Sequence, residues 1–167
     1  MKKLVELLVI IICFLLQSTI FHSISFAGIV PNLMVVITSI FGFMEGRNDG
    51  MFVGFISGLL IDIFYGSVLG WNALIFLLLG YVNGIANRVF YPDDIKFPLL
   101  FISLTDVAYL FITYVTGFLF RARFNVSYYL GHIILPELVY TIIVSVLVYL
   151  PLLRIFMLID GRFEETE

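Results

Sequence analysis

Apolar residues run almost without interruption along this chain, in segments separated by short polar turns. Hydrophobic residues make up 62% of the sequence, charged residues make up 13%, and the mean hydropathy is +1.12. These values lie outside the range of water-soluble domains. The sequence therefore predicts an all-α integral membrane protein, because a helix satisfies its backbone hydrogen bonds internally where no water is present.

Six apolar segments are long enough to cross a bilayer, which takes about 20 helical residues. The predicted spans cover residues 4–21, 29–44, 51–69, 71–89, 98–120 and 130–153. They predict one membrane domain, residues 1–167, built as a single bundle of six transmembrane helices. The first segment also fits a cleavable secretory signal ending near Ser25-Phe26-Ala27. The length of its apolar run favours a retained helix.

Basic residues predict the orientation, because Lys and Arg are enriched in cytoplasmic loops. With the N-terminus inside, only Arg121 and Arg123 of the nine basic residues fall outside. The cytoplasmic side then holds Lys2, Lys3, Arg47, Arg88, Lys96, Arg154 and Arg162. Both termini are therefore predicted to be cytoplasmic. Arg121 and Arg123 are interpreted as solvated anchors at the outer membrane surface.

A few ionisable and amide side chains lie inside the spans, where a charge costs about 2.5–3.5 kcal/mol at the bilayer centre. An outer group is predicted to line a polar cavity and comprises Asp62, Glu137, His132, Gln17 and Asn72. Asp106 is placed in the inner half of the membrane, at the level of Asn83 and Asn87. The alternative is that these side chains only hydrogen-bond between helices and fix their register.

Glycines recur at a spacing of four in the third and fourth spans. Gly54 and Gly58 share one helix face with Asp62, and Gly80 and Gly84 repeat the spacing in the next span. Small residues at this spacing let two helix backbones approach closely. We expect the two spans to form a tight antiparallel hairpin. A partner's transmembrane helix docking on this glycine face is the alternative.

The motifs of common enzymes are missing from the sequence. No serine stands in a Gly-x-Ser-x-Gly context, and no glycine-rich phosphate loop is present. Asp62 and Asp106 are placed at different depths, which argues against an intramembrane aspartyl pair. His22 and His132 do not have metal-ligand spacing, and the lone Cys13 cannot form an internal disulfide. The sequence thus predicts a non-enzymatic protein without a cofactor, a metal or a nucleic-acid partner.

Two short motifs resemble those of the rod shape-determining protein MreD family. The first is Pro31-Asn32-Leu33, and the second begins at Gly58 and places Asp62, Gly66 and Gly70 at a spacing of four. The family pattern usually has an aspartate where this chain has Asn32. The motif-bearing stretch covers about a third of the chain, and the length and the six spans agree over the rest.

This resemblance implies a scaffold subunit of the bacterial cell-elongation machinery in the inner membrane. It implies that the protein acts together with the bitopic protein MreC in cell-shape control and lateral peptidoglycan synthesis. The further partners that it implies are MreB, RodA and a class B penicillin-binding protein, together with membrane lipids.

The alternative function is the substrate-binding subunit of an energy-coupling-factor (ECF) vitamin importer. Those subunits are also small six-helix membrane proteins, and an outward cavity near Asp62 and Glu137 would suit them. The chain lacks the Ala-x-x-x-Ala face that those subunits carry on the first helix, since residues 4–21 contain no alanine. The similarity in size also predicts a helix arrangement like that of ECF subunits.

Overall fold

The computed structural model describes residues 2–21, 30–86, 96–119, 131 and 134–164. The described residues form helices without any strand, which confirms the all-α prediction for this part of the chain. The α-helices are α1 (Lys2–Leu16), α2 (Leu33–Glu45), α3 (Arg47–Tyr65), α4 (Trp71–Ala86), α5 (Lys96–Tyr114) and α6 (Leu135–Glu164). A π-helical turn follows α1 at Gln17–Phe21, and another follows α5 at Val115–Leu119.

Helix α2 lies at the centre of the bundle. It contacts α1, α3, α4, α5 and α6, and every residue from Leu33 to Phe43 is buried. A helix that is apolar on all sides is stable only when other helices surround it. Thr38 and Ser39 fit this interior because their hydroxyls donate to the backbone carbonyls of Met34 and Val35, at 2.7 and 2.9 Å.

Both ends of α2 are set by local sequence. The Asn32 side chain accepts the Val35 N–H at 3.2 Å and caps the first turn, which places the helix start after Pro31. Gly46 ends the helix at a φ of 92°, a conformation that favours glycine. The α2–α3 turn therefore needs only one residue between two helices.

Three described helical segments are long and apolar enough to cross a membrane: Arg47–Tyr65, Lys96–Gly117 and Leu135–Ile155. Within the described residues, α2 and α4 are apolar but cover only 13 and 16 residues. At about 1.5 Å per residue, they are shorter than the hydrocarbon core of about 30 Å. Helix α3 starts before the predicted third span and ends at Tyr65, and α6 continues beyond the predicted sixth span.

Candidate functional site

The backbones of α3 and α4 approach closely at glycines on both helices. A Cβ atom at Gly54 would lie 2.2 Å from the Phe76 carbonyl oxygen, and one at Gly80 would lie 2.0 Å from the Gly50 carbonyl oxygen. Real Cβ atoms essentially never come within 3.0 Å of a non-bonded heavy atom of another part of the chain. Each position therefore requires glycine for backbone contact between the helices.

The same contact continues towards both ends of the pair. A Cβ at Gly58 would lie 2.5 Å from the Asn72 carbonyl oxygen and 2.6 Å from Ala73 Cα. A Cβ at Gly84 would lie 2.2 Å from Arg47 Cα. All four glycines singled out in the sequence thus face the neighbouring helix of the same chain.

A glycine contact that the sequence analysis missed joins α2 to this pair. A Cβ at Gly50 would lie 2.6 Å from Gly42 Cα, and a Cβ at Gly42 would lie 2.9 Å from the Gly80 carbonyl oxygen. Gly42 continues the spacing of four through Gly46 and Gly50, but it lies on α2, so its contact with α3 and α4 became visible only in three dimensions. Three helices therefore meet backbone to backbone at Gly42, Gly50 and Gly80.

Asp62 closes the α3–α4 hairpin at its loop end. Its side chain is buried, with 3% of the residue exposed. Oδ2 accepts the backbone N–H groups of Gly70 and Ala73 at 2.9 and 3.0 Å. Oδ1 accepts the backbone N–H and the side-chain Nδ2 of Asn72, at 3.1 and 2.9 Å. The carboxylate thus caps the N-terminus of α4, where free N–H groups and the helix dipole stabilise a negative charge.

The glycines of the loop are explained by this cap. A Cβ at Gly66 would lie 2.7 Å from Asp62 Cα and 3.0 Å from its Oδ1. Gly70 has a φ of 94°, which an L side chain rarely adopts. The motif Asp62-Gly66-Gly70 therefore encodes one compact helix-loop-helix connection.

Two hydrogen-bonded pairs connect α4 to α5. The Tyr109 hydroxyl donates to Asn72 Oδ1 at 3.3 Å. Deeper along α4, Asn83 Nδ2 donates to Thr105 Oγ1 at 2.8 Å. Tyr109 and Thr105 were not among the sequence candidates, because nothing local distinguishes them from other polar residues of α5. Asn87 lies outside the described residues.

The acidic residues of α5 and α6 differ in burial. Asp106 is 0% exposed and neither of its carboxylate oxygens has a hydrogen-bond partner, whereas Glu137, in the first turn of α6, is only partly buried.

The other predicted cavity residues have different surroundings. Gln17 Oε1 accepts the Met34 N–H at 3.2 Å, and Gln17 lines an open cavity of about 190 Å³ together with Ser18, Val30 and Tyr65. Neither Asp62 nor Glu137 lines this cavity. His132 lies outside the described residues. Within the described part of the chain, no group of three or more potential ligands could hold a metal ion.

An ion cluster at the start of α1 was also missed by the sequence analysis, which used these lysines only for orientation. Lys2 pairs with Glu45 and with Asp49, and Lys3 pairs with Glu6 and with Asp49. Burial alone would lower the pKa of Lys2, but the hydrogen bonds with Glu45 and Asp49 outweigh it and raise the pKa above its usual value. The cluster ties α1 to the α2–α3 turn.

These features define a helical membrane protein in which buried polar groups join helices. Glycine contacts and the Asp62 cap hold its α3–α4 hairpin. The chain matches the family model described as rod shape-determining protein MreD over residues 1–159. It therefore belongs to the MreD family, which confirms the resemblance seen in the two sequence motifs. No curated protein and no solved structure matches the chain significantly.

Membership of this family establishes a role in rod shape determination. It also places the protein in the context of MreC and peptidoglycan synthesis. The family is one of shape-determining structural proteins and is not a known enzyme family. Nothing found in these comparisons supports the ECF importer alternative.

Proposed function

We propose that this protein is a non-enzymatic scaffold subunit of the bacterial cell-elongation complex, which packs its helices against an MreC-like bitopic partner. The observation that best supports the proposal is the structural role of the Asp62 carboxylate. All four hydrogen bonds of the Asp62 carboxylate are made with the N-terminal end of α4, so the Asp62-Gly66-Gly70 motif maintains the shape of the α3–α4 hairpin. A rigid, preformed surface is what a scaffold offers to a partner helix.

We further propose that the chain crosses the bacterial inner membrane six times, with both termini in the cytoplasm. The ion cluster supports this topology, since it holds the start of α1 at the same end of the bundle as the α2–α3 turn. The short α2 is compatible with it because α2 is surrounded by protein along most of its length. Through the MreC-like partner, the complex would include MreB, RodA and a class B penicillin-binding protein.

Copurification from native membranes tests the proposal. The tagged protein is extracted in mild detergent, and its partners are quantified by mass spectrometry. We expect an MreC-like bitopic protein and wall-synthesis enzymes to be enriched with the wild type. Asp62→Ala should insert normally but recover several-fold less of the partner, because the hairpin loses its cap.

Ser103→Ala is a matched control, since the Ser103 hydroxyl donates only to Leu99 of its own helix. It should recover the partner as the wild type does. If Asp62→Ala recovered as much of the partner as the wild type does, Asp62 would have no role in partner binding. Recovery of ATPases with a transmembrane coupling subunit, in place of an MreC-like protein, would refute the scaffold function and identify an importer.

A further inference from the structure

The start of α3 marks one surface of the membrane. Arg47 is exposed there, and Asp49 in the same turn pairs with Lys2 and Lys3. Charged groups of this kind lie at the membrane surface, because a charge is costly in hydrocarbon. A Cβ at Gly84 would lie 2.2 Å from Arg47 Cα, so α4 reaches the same level at Gly84. Depths along the α3–α4 hairpin can therefore be counted from the level of Arg47.

The start of α4 lies far from the opposite surface. A Cβ at Gly58 would lie 2.6 Å from Ala73 Cα, so the first turn of α4 is level with Gly58. At about 1.5 Å per residue, Gly58 lies about 16 Å from the level of Arg47. Trp71, half a turn before Ala73, lies about 19 Å from that level. The hydrocarbon core is about 30 Å thick, so α4 begins about 10 Å short of its far edge.

The surface of the hairpin at this end is apolar. Residues 63–87 contain no charged residue. In the loop between the two helices, Val68 and Leu69 are 65% and 71% exposed, and Trp71 at the start of α4 is 44% exposed. Exposed apolar side chains that lie together mark a contact with lipid or with a partner. The loop carries no charge that would hold it in water.

The backbone of the turn suits surroundings without water. The first N–H groups of a helix have no partner within the helix, and an unpaired N–H is costly in hydrocarbon. At the start of α4, the N–H groups of Gly70, Asn72 and Ala73 all donate to the Asp62 carboxylate. The Gly66 N–H donates to the Asp62 carbonyl oxygen at 3.1 Å. Protein groups thus provide the acceptors that water would provide at a membrane surface.

We propose that the α3–α4 hairpin turns round inside the membrane, so that Val68, Leu69 and Trp71 bind the acyl chains of phospholipids in the outer leaflet. Helix α4 then begins near the bilayer centre, with Asp62 as its cap. A hairpin that turns within the membrane returns to the side where it began, so the proposed sides of the other spans are unchanged. This depth refines the proposed topology, and copurification tests the scaffold function independently of it.

Fluorescence quenching measures the depth directly, because Trp71 is the only tryptophan of the chain. The purified full-length protein is placed in nanodiscs of phospholipids that carry bromine either near the end of the acyl chain or close to the glycerol. We expect the deep bromines to quench Trp71 several-fold more strongly than the shallow ones. Iodide added to the buffer should quench it hardly at all.

A matched control moves the tryptophan to the other end of α3. Asn48 is exposed beside Arg47, so Trp71→Phe combined with Asn48→Trp places the single tryptophan at the charged surface. Iodide should quench this variant strongly, and the deep bromines should quench it weakly. The control shows that both quenchers report depth in the same nanodiscs.

Two results would overturn the proposal. Stronger quenching of Trp71 by the shallow bromines or by iodide would show that the hairpin reaches the membrane surface. Protection of Trp71 from all three quenchers would show that protein, such as a second copy of the chain, covers the loop in place of lipid.

Leu69→Asp tests the loop without fluorescence. A charge placed among acyl chains should lower the amount of folded protein in the membrane several-fold. Leu69→Ala is the control for the loss of the leucine side chain and should leave this amount unchanged. Equal amounts of the two variants would contradict a loop that lies in lipid.

Discussion

Gly54→Ala adds a single methyl group where α3 and α4 touch. The new Cβ would lie 2.2 Å from the Phe76 carbonyl oxygen and 2.8 Å from its carbonyl carbon. Both atoms belong to the backbone of α4, so no side-chain rotation can relieve the clash. The two helices would have to separate locally by roughly 1 Å to restore ordinary contact.

The expected cost follows from two opposing contributions. Overpacking of a tight contact costs about 1–3 kcal/mol, and a clash with backbone atoms is expected to cost about 3 kcal/mol, the upper end of this range. Alanine offsets about 1 kcal/mol of this, because it has a higher helix propensity than glycine. We therefore expect Gly54→Ala to lower the free energy of unfolding by about 2 kcal/mol. The effect is large in a membrane, where packing is a main force that holds helices together.

The free energy of unfolding can be measured by titrating the purified protein in mixed micelles with a denaturing detergent. Gly117→Ala is the matched control, because nothing lies within 4 Å of a Cβ at Gly117. It should change the free energy by less than about 0.5 kcal/mol, as surface substitutions usually do. If Gly54→Ala were as stable as Gly117→Ala, the backbone contact between α3 and α4 would be refuted.

Three further substitutions test other contacts of the bundle. Asp62→Asn should lower the free energy of unfolding by about 1–3 kcal/mol, because an amide has one acceptor oxygen where the carboxylate has two. Hydrogen exchange of the backbone amides at the start of α4 should also accelerate. Unchanged exchange would contradict the capping of α4 by Asp62. Thr105→Val should cost about 1 kcal/mol through the lost hydrogen bond with Asn83, and a stability equal to the wild type would show that this bond contributes nothing net. Glu6→Gln should cost about 1 kcal/mol at low salt and less at high salt, because it weakens an ion pair with Lys3 that is partly exposed. A cost that does not depend on salt would contradict the ionic explanation.

The α3–α4 hairpin could be anticipated from sequence because its determinants are local. The carboxylate of Asp62 and its donors lie 8 to 11 residues apart along the chain. The glycine spacing alone defines the face on which Gly54 and Gly58 lie. The sequence also singled out Asp62 as an unusual charge in an apolar segment, although it assigned this residue to a cavity rather than to a helix cap.

The contacts between distant segments could not be anticipated in the same way. Lys3 and Asp49 are 46 residues apart, and Asn32 and Thr141 are 109 residues apart. Such pairs depend on which helix faces are adjacent, and hydrophobic periodicity does not determine this when a helix is apolar on every side. The burial of α2 and the backbone contact of α2, α3 and α4 at Gly42 became visible only with the tertiary structure.

The helical state of the chain, its place in a membrane and the packing of two helices through glycine could all be derived from the residue pattern. This is possible because hydrophobicity, helix length and residue size act locally on the backbone. Which buried carboxyl receives hydrogen-bond donors, and which does not, depends on how the helices are arranged in three dimensions. Asp62 and Asp106 are the same residue type in apolar segments. Their surroundings differ because α3 ends beside the N-terminus of α4, whereas Asp106 lies in the middle of α5 with no hydrogen-bond partner for either carboxylate oxygen.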